Sequence, residues 1–299
     1  MMQLFAWLDA FHVLRYAPVW RGFLVLLLSG AVFPLVGVFV LRLNLITLRF
    51  ALMHASLLGS AVALAAGVNP LLVGMAANSA LVVAIARIRG SAVRDVGFIT
   101  TFFMVLTIGL AFAVIYRFNV STNDSLQILW GNIYAMTPLD ARLTVAFGAV
   151  VAGFVVLRFP AIAAVLFDRD VATSVGVRES LVYTTIVLLV GLTISFVMRL
   201  IGALLLDAIL ILPALMAVSC ARSLRGTFIW ASVLGTIVAL GGFAFAILAD
   251  LPVSSGVTIF GALLYLIIHL LMRKRSRTAV RALSPSNTLA THTQEGEKQ

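Results

Sequence analysis

Charged residues and cysteine are both scarce in this chain of 299 residues. Asp, Glu, Lys and Arg make up only 11% of it, against about 25% in soluble domains. The single cysteine, Cys220, excludes an internal disulfide framework and a metal site built from several cysteines. So few charged residues leave no room for a soluble catalytic domain.

The sequence also lacks the motif Gly-x-x-x-x-Gly-Lys-Ser/Thr, with which many proteins cradle the phosphates of ATP. We therefore expect any ATP that drives this protein to bind to a partner subunit. No Ser-His-Asp type of catalytic group can be assembled from the loops. We predict that the chain is not an enzyme and binds no cofactor of its own.

Apolar sequence is what the chain has in excess, at 62% of its residues and a mean hydropathy of +1.13. A helix that crosses a bilayer needs about 20 mostly apolar residues. Nine stretches meet this requirement, which predicts an all-α, polytopic membrane protein. They are roughly 20–41, 46–66, 70–88, 96–117, 142–160, 181–199, 201–220, 226–249 and 254–272.

The basic residues indicate how these spans are oriented. The net charge is +10, but Lys and Arg flank apolar runs and do not cluster with aromatics, so we expect no nucleic-acid partner. If the C-terminus is cytoplasmic, 16 of the 21 basic residues lie on the cytoplasmic side. Because cytoplasmic connections of membrane proteins are enriched in Lys and Arg, this orientation is favoured.

The sequence divides the chain into three segments. Residues 1–18 mix charged and apolar side chains and are predicted to lie at the membrane interface. Residues 19–272 form the transmembrane domain, in contact with lipid. Residues 273–299 are basic and then rich in Ser, Thr and Glu, and are predicted to be a disordered cytoplasmic tail.

One cytoplasmic connection, 160–180, is longer and more polar than most of the others. Within it, FDRDVATSVGV begins at Phe167 and has the pattern of a short helix. Asp168 and Asp170 favour a helix start through the helix dipole, and Gly176 can supply the left-handed turn that ends it. We interpret this segment as a coupling helix that docks a separate ATPase.

Two ionisable residues fall inside predicted spans, His54 and Asp207. Such residues are expensive in a bilayer, and imidazole and carboxylate are common metal ligands, so both are candidates for an ion path. The alternatives are a structural hydrogen bond for His54 and a helix-capping role for Asp207. Pro213 is predicted to break the seventh span next to this path, with a simple kink as the alternative.

Six segments, in order along 20–272, resemble motifs of one membrane-protein family. Together they resemble the integral membrane permeases of zinc-, manganese- and iron-type ABC importers, the ABC-3 family. The segments are RGFLVLLLSGAVFPLVGVFVLRLNLI, FALMHASLLGSAVALAAGVNPLL, LQILWGNIYAMTPLD, FDRDVATSVGV, IGALLLDAILILPALMA and DLPVSSGVTI.

This resemblance implies two permease copies, two ATPase copies and an extracytoplasmic metal-binding protein at a bacterial cytoplasmic membrane. It gives His54 the position of the family's path histidine, with Zn²⁺ or Mn²⁺ as the transported substrate. The chain departs from the family at Phe50, where the motif has aspartate, and also at Leu58 and Gln127. Asp207, where the family has an uncharged residue, would restore the missing carboxylate.

Other function classes remain open at this point. A proton-coupled secondary transporter would use several intramembrane acids and no docking loop. A scaffold or sensor would not need His54, Asp207 and Pro213 within the bilayer. An ABC permease for a different substrate, or an exporter, also fits the pattern of spans.

Overall fold

The chain is a bundle of α-helices in a computed structural model that describes residues 16–88, 96–120 and 133–282. These ranges contain twelve α-helices, one 3₁₀ turn at Ile133–Ala135 and no strand. The helices are α1 (Ala17–Val32), α2 (Pro34–Arg42), α3 (Ile46–Ala66), α4 (Pro70–Ile88), α5 (Val96–Arg117), α6 (Pro138–Leu157), α7 (Phe159–Phe167), α8 (Arg169–Ser174), α9 (Glu179–Ile201), α10 (Ala203–Cys220), α11 (Leu224–Leu248) and α12 (Val253–Ala282).

The predicted all-α polytopic architecture is confirmed. Within the described ranges, eight helical segments are long and apolar enough to cross a membrane, the first being α1 and α2 taken together, and α4 adds a shorter apolar helix. Each of the nine predicted stretches corresponds to one of these segments. The first bends between α1 and α2 because Pro34 begins a new helix directly after Phe33.

Two expectations need correction. The 160–180 connection holds two short helices, α7 and α8, because Phe159 and Pro160 start a helix within the segment predicted as loop. The tail predicted to be disordered from residue 273 instead continues α12 to Ala282, in a stretch rich in the good helix formers Arg and Ala. Residues 1–15, 89–95, 121–132 and 283–299 lie outside the described ranges, and with them most of the predicted interfacial segment 1–18.

The predicted break at Pro213 is absent. Helix α10 runs from Ala203 to Cys220 with this proline inside it. Proline removes one backbone hydrogen bond, but the contacts of α10 with α2, α11 and α12 stabilise the helix across this position. Gly202 alone separates α9 from α10. This glycine has φ of 84° and ψ of 166°, a backbone conformation accessible almost only to glycine, so one helix follows the other without a loop.

The helices pack in two groups. Helices α3, α4, α5 and α9 form one, and α1, α2, α10, α11 and α12 form the other, with α9 also contacting α10 and α2. Glycines allow the closest crossings within the second group. A Cβ built on Gly235 would lie 2.1 Å from the carbonyl oxygen of Gly30, so only glycine fits where α11 crosses α1.

A buried polar cluster joins three helices of the first group. It consists of Ser56 on α3, Asn78 on α4 and Ser195 on α9, all almost inaccessible. The amide nitrogen of Asn78 lies 2.7 Å from Ser195 Oγ, 3.2 Å from Ser56 Oγ and 2.8 Å from the carbonyl oxygen of Gly191. The two hydroxyls are 2.7 Å apart, and Ser195 also donates to the carbonyl of Gly74. The bilayer offers no water to these polar groups, so they must form hydrogen bonds with one another. These hydrogen bonds hold the three helices in register.

This cluster predicts the effect of removing its central amide. Asn78→Ala should lower the free energy of unfolding by about 1–2 kcal/mol, since interhelical hydrogen bonds in membranes are each worth up to that amount. Ser79→Ala is the matched control, because the Ser79 hydroxyl donates only to the Met75 carbonyl of its own helix. Thermal unfolding in detergent should show a lower midpoint for the first variant and an unchanged one for the second. Equal midpoints for all three proteins would show that the cluster does not stabilise the bundle.

Candidate functional site

Helix α3 carries a row of side chains, winding along the helix, that the described part of the chain leaves at least partly uncovered. Ile46, Phe50, His54, Leu58 and Val62 recur every four residues, and all five are at least partly exposed. Most other positions between them are buried. We call these five residues the open stripe. In a membrane protein, such a stripe faces lipid, another subunit or a path for substrate.

His54 lies at the centre of the open stripe in a form that can bind a metal ion. Its Nδ1 is 2.7 Å from the carbonyl oxygen of Phe50, one turn earlier in the same helix. A carbonyl oxygen can only accept, so Nδ1 carries the proton and Nε2 keeps its lone pair. Metal-bound histidines in proteins are commonly held in this way, by a hydrogen bond from the other ring nitrogen. The backbone of α3 therefore sets the tautomer of its own imidazole.

Asp207 lies on the less buried side of α10, with 44% of its side chain exposed. Its Oδ1 accepts a hydrogen bond from Nη1 of Arg49, near the start of α3. This ion pair links the two groups of helices. An ionisable residue inside a bilayer is expected to pair with another charged group, and the basic residue near the start of α3 is the sequence signal for this partner.

Arg49 is itself buried, with 4% of its surface exposed. Its guanidinium carbon lies 4.2 Å from the centre of the Phe50 ring, a cation–π contact. Its Nε has no hydrogen-bond partner within the described part of the chain. The guanidinium is therefore held by one hydrogen bond to Asp207 and by the aromatic face.

His54 and Asp207 do not belong to a group of three candidate metal ligands in the described residues. Arg49 and His54 are five residues apart, which separates them by roughly 140° around α3. In residues 16–88, 96–120 and 133–282, no three His, Cys, Asp or Glu side chains come close enough to hold a metal ion. A single chain thus presents an imidazole on the open stripe and a carboxylate on α10 as separate groups.

The short helix α8 has the ends that its sequence predicts. Asp168 caps it, accepting hydrogen bonds from the backbone N–H groups of Asp170 and Val171 at 2.8 and 3.0 Å. Gly176 ends it with φ of 79°, while Val177 N–H donates to the carbonyl of Ala172. This is the paired hydrogen-bond pattern that glycine permits at a helix C-terminus.

Around α8, apolar side chains face outward. Phe167 at the end of α7, Val171 on α8 and Val175 at the C-cap of α8 are 84, 45 and 66% exposed. Ala172, on the opposite side, is fully buried and anchors the helix to the bundle. A shallow groove runs alongside, lined by Thr173, Gly176, Val177 and the first turn of α9. Exposed apolar rows of this kind mark contact surfaces for other proteins.

Known proteins resemble this chain over nearly its whole length. The manganese import system permease protein ScaB of Streptococcus parasanguinis is 26% identical over 272 residues, covering 90% of this chain and 94% of the relative. The high-affinity zinc uptake system membrane protein ZnuB of Haemophilus influenzae is 22% identical, covering 83% and 97%. Each relative is matched along almost its entire length.

The fold is likewise shared with a solved structure, PsaBC from Streptococcus pneumoniae in complex with Fab. The TM-score is 0.76 at 22% identity, with 87% of this chain and 94% of that chain covered. The family model described as the ABC 3 transport family matches residues 15–272, which include every span, the open stripe and α8. The chain is a multi-pass membrane protein that belongs to the ABC 3 transport family.

Proposed function

We propose that this chain is the permease of an ATP-driven importer that moves a divalent transition metal, Mn²⁺ or Zn²⁺, across a bacterial cytoplasmic membrane. The observation that carries the proposal is His54, whose Nε2 is free for a metal on a stripe that the chain leaves open. The relatives named for manganese import and zinc uptake support the same substrate class.

The path is proposed to form between two copies of the chain. One copy provides the open stripe but no group of three ligands in its described part. A two-fold arrangement with α3 at the interface would place a second imidazole opposite the first. Few ligands also suit transport, because an ion must bind well enough to shed water and weakly enough to leave. An extracytoplasmic metal-binding protein would deliver the ion, and Asp207 would add oxygen ligation next to Pro213.

The energy is proposed to come from a separate ATPase that docks on α8. Phe167 and the two valines that follow it provide an apolar contact row, while Asp168 and Asp170 supply charge at its start. Gly176 fixes the direction in which the chain leaves α8 and enters α9. Helix α9 carries Ser195 of the buried cluster. A displacement of α8 by the ATPase would therefore move α9 and, through the cluster, the helix α3 that carries His54.

Uptake by the reconstituted complex tests the metal path. Proteoliposomes that contain this chain, its ATPase and its capture protein should accumulate Mn²⁺ or Zn²⁺ only with ATP. His54→Ala should reduce uptake at least about tenfold, the low end of the loss that even outer-shell changes cause at metal sites. Asp207→Asn, which keeps the shape and removes the charge, should also reduce it.

Leu58→Ala is the matched control, because it alters the same stripe without removing a ligand. It should transport normally at normal membrane levels. Uptake driven by a proton gradient without ATP would indicate a secondary transporter instead. Full uptake by His54→Ala would show that the imidazole is not part of the metal path. Full uptake by Asp207→Asn would show that this carboxylate has a structural role instead.

The docking of the ATPase is tested at Gly176. Gly176→Val should uncouple ATP hydrolysis from transport while leaving membrane insertion intact, because a β-branched residue is strained at a φ of 79°. Gly176→Asn is the control, since asparagine tolerates this conformation and should retain most of the coupling. The ratio of metal transported to ATP hydrolysed is the measurement. An unchanged ratio in the valine variant would rule out this segment as the coupling element.

A further inference from the structure

The carboxylate of Asp207 has two different surroundings. On one side lies the buried guanidinium of Arg49, which donates from Nη1 to Oδ1. On the other side the carboxylate is open, because 44% of the side chain is exposed. A cation that reaches the exposed part of Asp207 can therefore compete with Arg49 for the carboxylate.

The ion pair is not saturated. The hydrogen bond joins one guanidinium nitrogen to one carboxylate oxygen, not the paired, two-bond geometry that Arg and Asp form when they are optimised for each other. Arg49 Nε is buried without a partner in the described residues. The pair thus neutralises Asp207 through a single hydrogen bond, which a divalent cation at the exposed side of the carboxylate can displace.

Phe50 determines where the guanidinium lies. Its ring supports the guanidinium carbon at 4.2 Å, so this side chain occupies the volume beside Arg49 and keeps it near α10.

We propose that Arg49 is a tethered cation that occupies Asp207 while the path is empty and competes with the divalent ion for this carboxylate. The inference rests on the proposed function. Arg49 then sets the affinity of the path: it weakens metal binding at Asp207 and lets the ion leave. It is a positioning residue, because it acts through Asp207 and does not contact the metal.

A purely structural ion pair predicts a different behaviour. Removing one partner of a buried pair destabilises the protein because the other charge is left unpaired. Such a pair would not alter the metal concentration at which the protein responds. The concentration dependence of metal binding therefore separates the two roles, and stability alone does not.

The experiment measures how Mn²⁺ and Zn²⁺ shift the thermal unfolding of the full-length permease, since a ligand that binds the folded state stabilises it. Arg49→Gln should produce the half-maximal shift at about tenfold lower metal concentration than wild type, because a competing charge has been removed. Asp207→Asn should require a higher concentration. The double variant should match Asp207→Asn, because Arg49 has no carboxylate left to mask.

An unchanged or higher half-maximal concentration in Arg49→Gln would overturn the inference, even where wild-type uptake confirms the proposed function. The absence of ATP-driven metal uptake in wild type would instead reject the proposed function. If Arg49→Gln does not fold, a structure of the wild-type chain with Mn²⁺ bound decides the question. The guanidinium withdrawn from Asp207 Oδ1 supports the inference, and an intact ion pair with metal bound elsewhere overturns it.

Discussion

A polar group inside a bilayer must find its partner within the protein, and this constraint organises the helices around α3. Arg49 pairs with Asp207, His54 donates to its own backbone, and Ser56 joins the buried cluster with Asn78 and Ser195. These interactions tie α3 to α4, α9 and α10. His54 is the one ionisable residue of the open stripe. Helix α3 therefore both connects its neighbouring helices and presents a candidate metal ligand.

The separation between the buried and open faces of α3 explains how structure and transport can coexist in one helix. Its buried residues fix the register of the neighbouring helices, while the open stripe is free to contact a second copy or an ion. The short helix α8 leads directly into α9, which reaches the buried cluster. Packed contacts thus run from α8 through α9 and the buried cluster to α3.

Local features were predictable from sequence, and distant contacts were not. The spans follow from apolar length alone, and the ends of α8 follow from Asp168 and Gly176, which act within a few residues. The pair formed by Arg49 and Asp207 joins residues 158 positions apart, and no periodicity reveals it. Pro213 was misjudged for a related reason: its effect on α10 depends on the helices packed around it, and propensity describes only the isolated helix.

The central claim is that the open stripe of α3 borders the metal path, and cysteine labelling tests it directly. In a Cys220→Ser background, Phe50→Cys and Leu58→Cys should react with a hydrophilic thiol reagent, and Mn²⁺ should slow the reaction. Leu52→Cys and Ala55→Cys, on the buried face of the same helix, should not react. Stripe positions that stay unlabelled, or that react equally fast with and without Mn²⁺, would contradict the account.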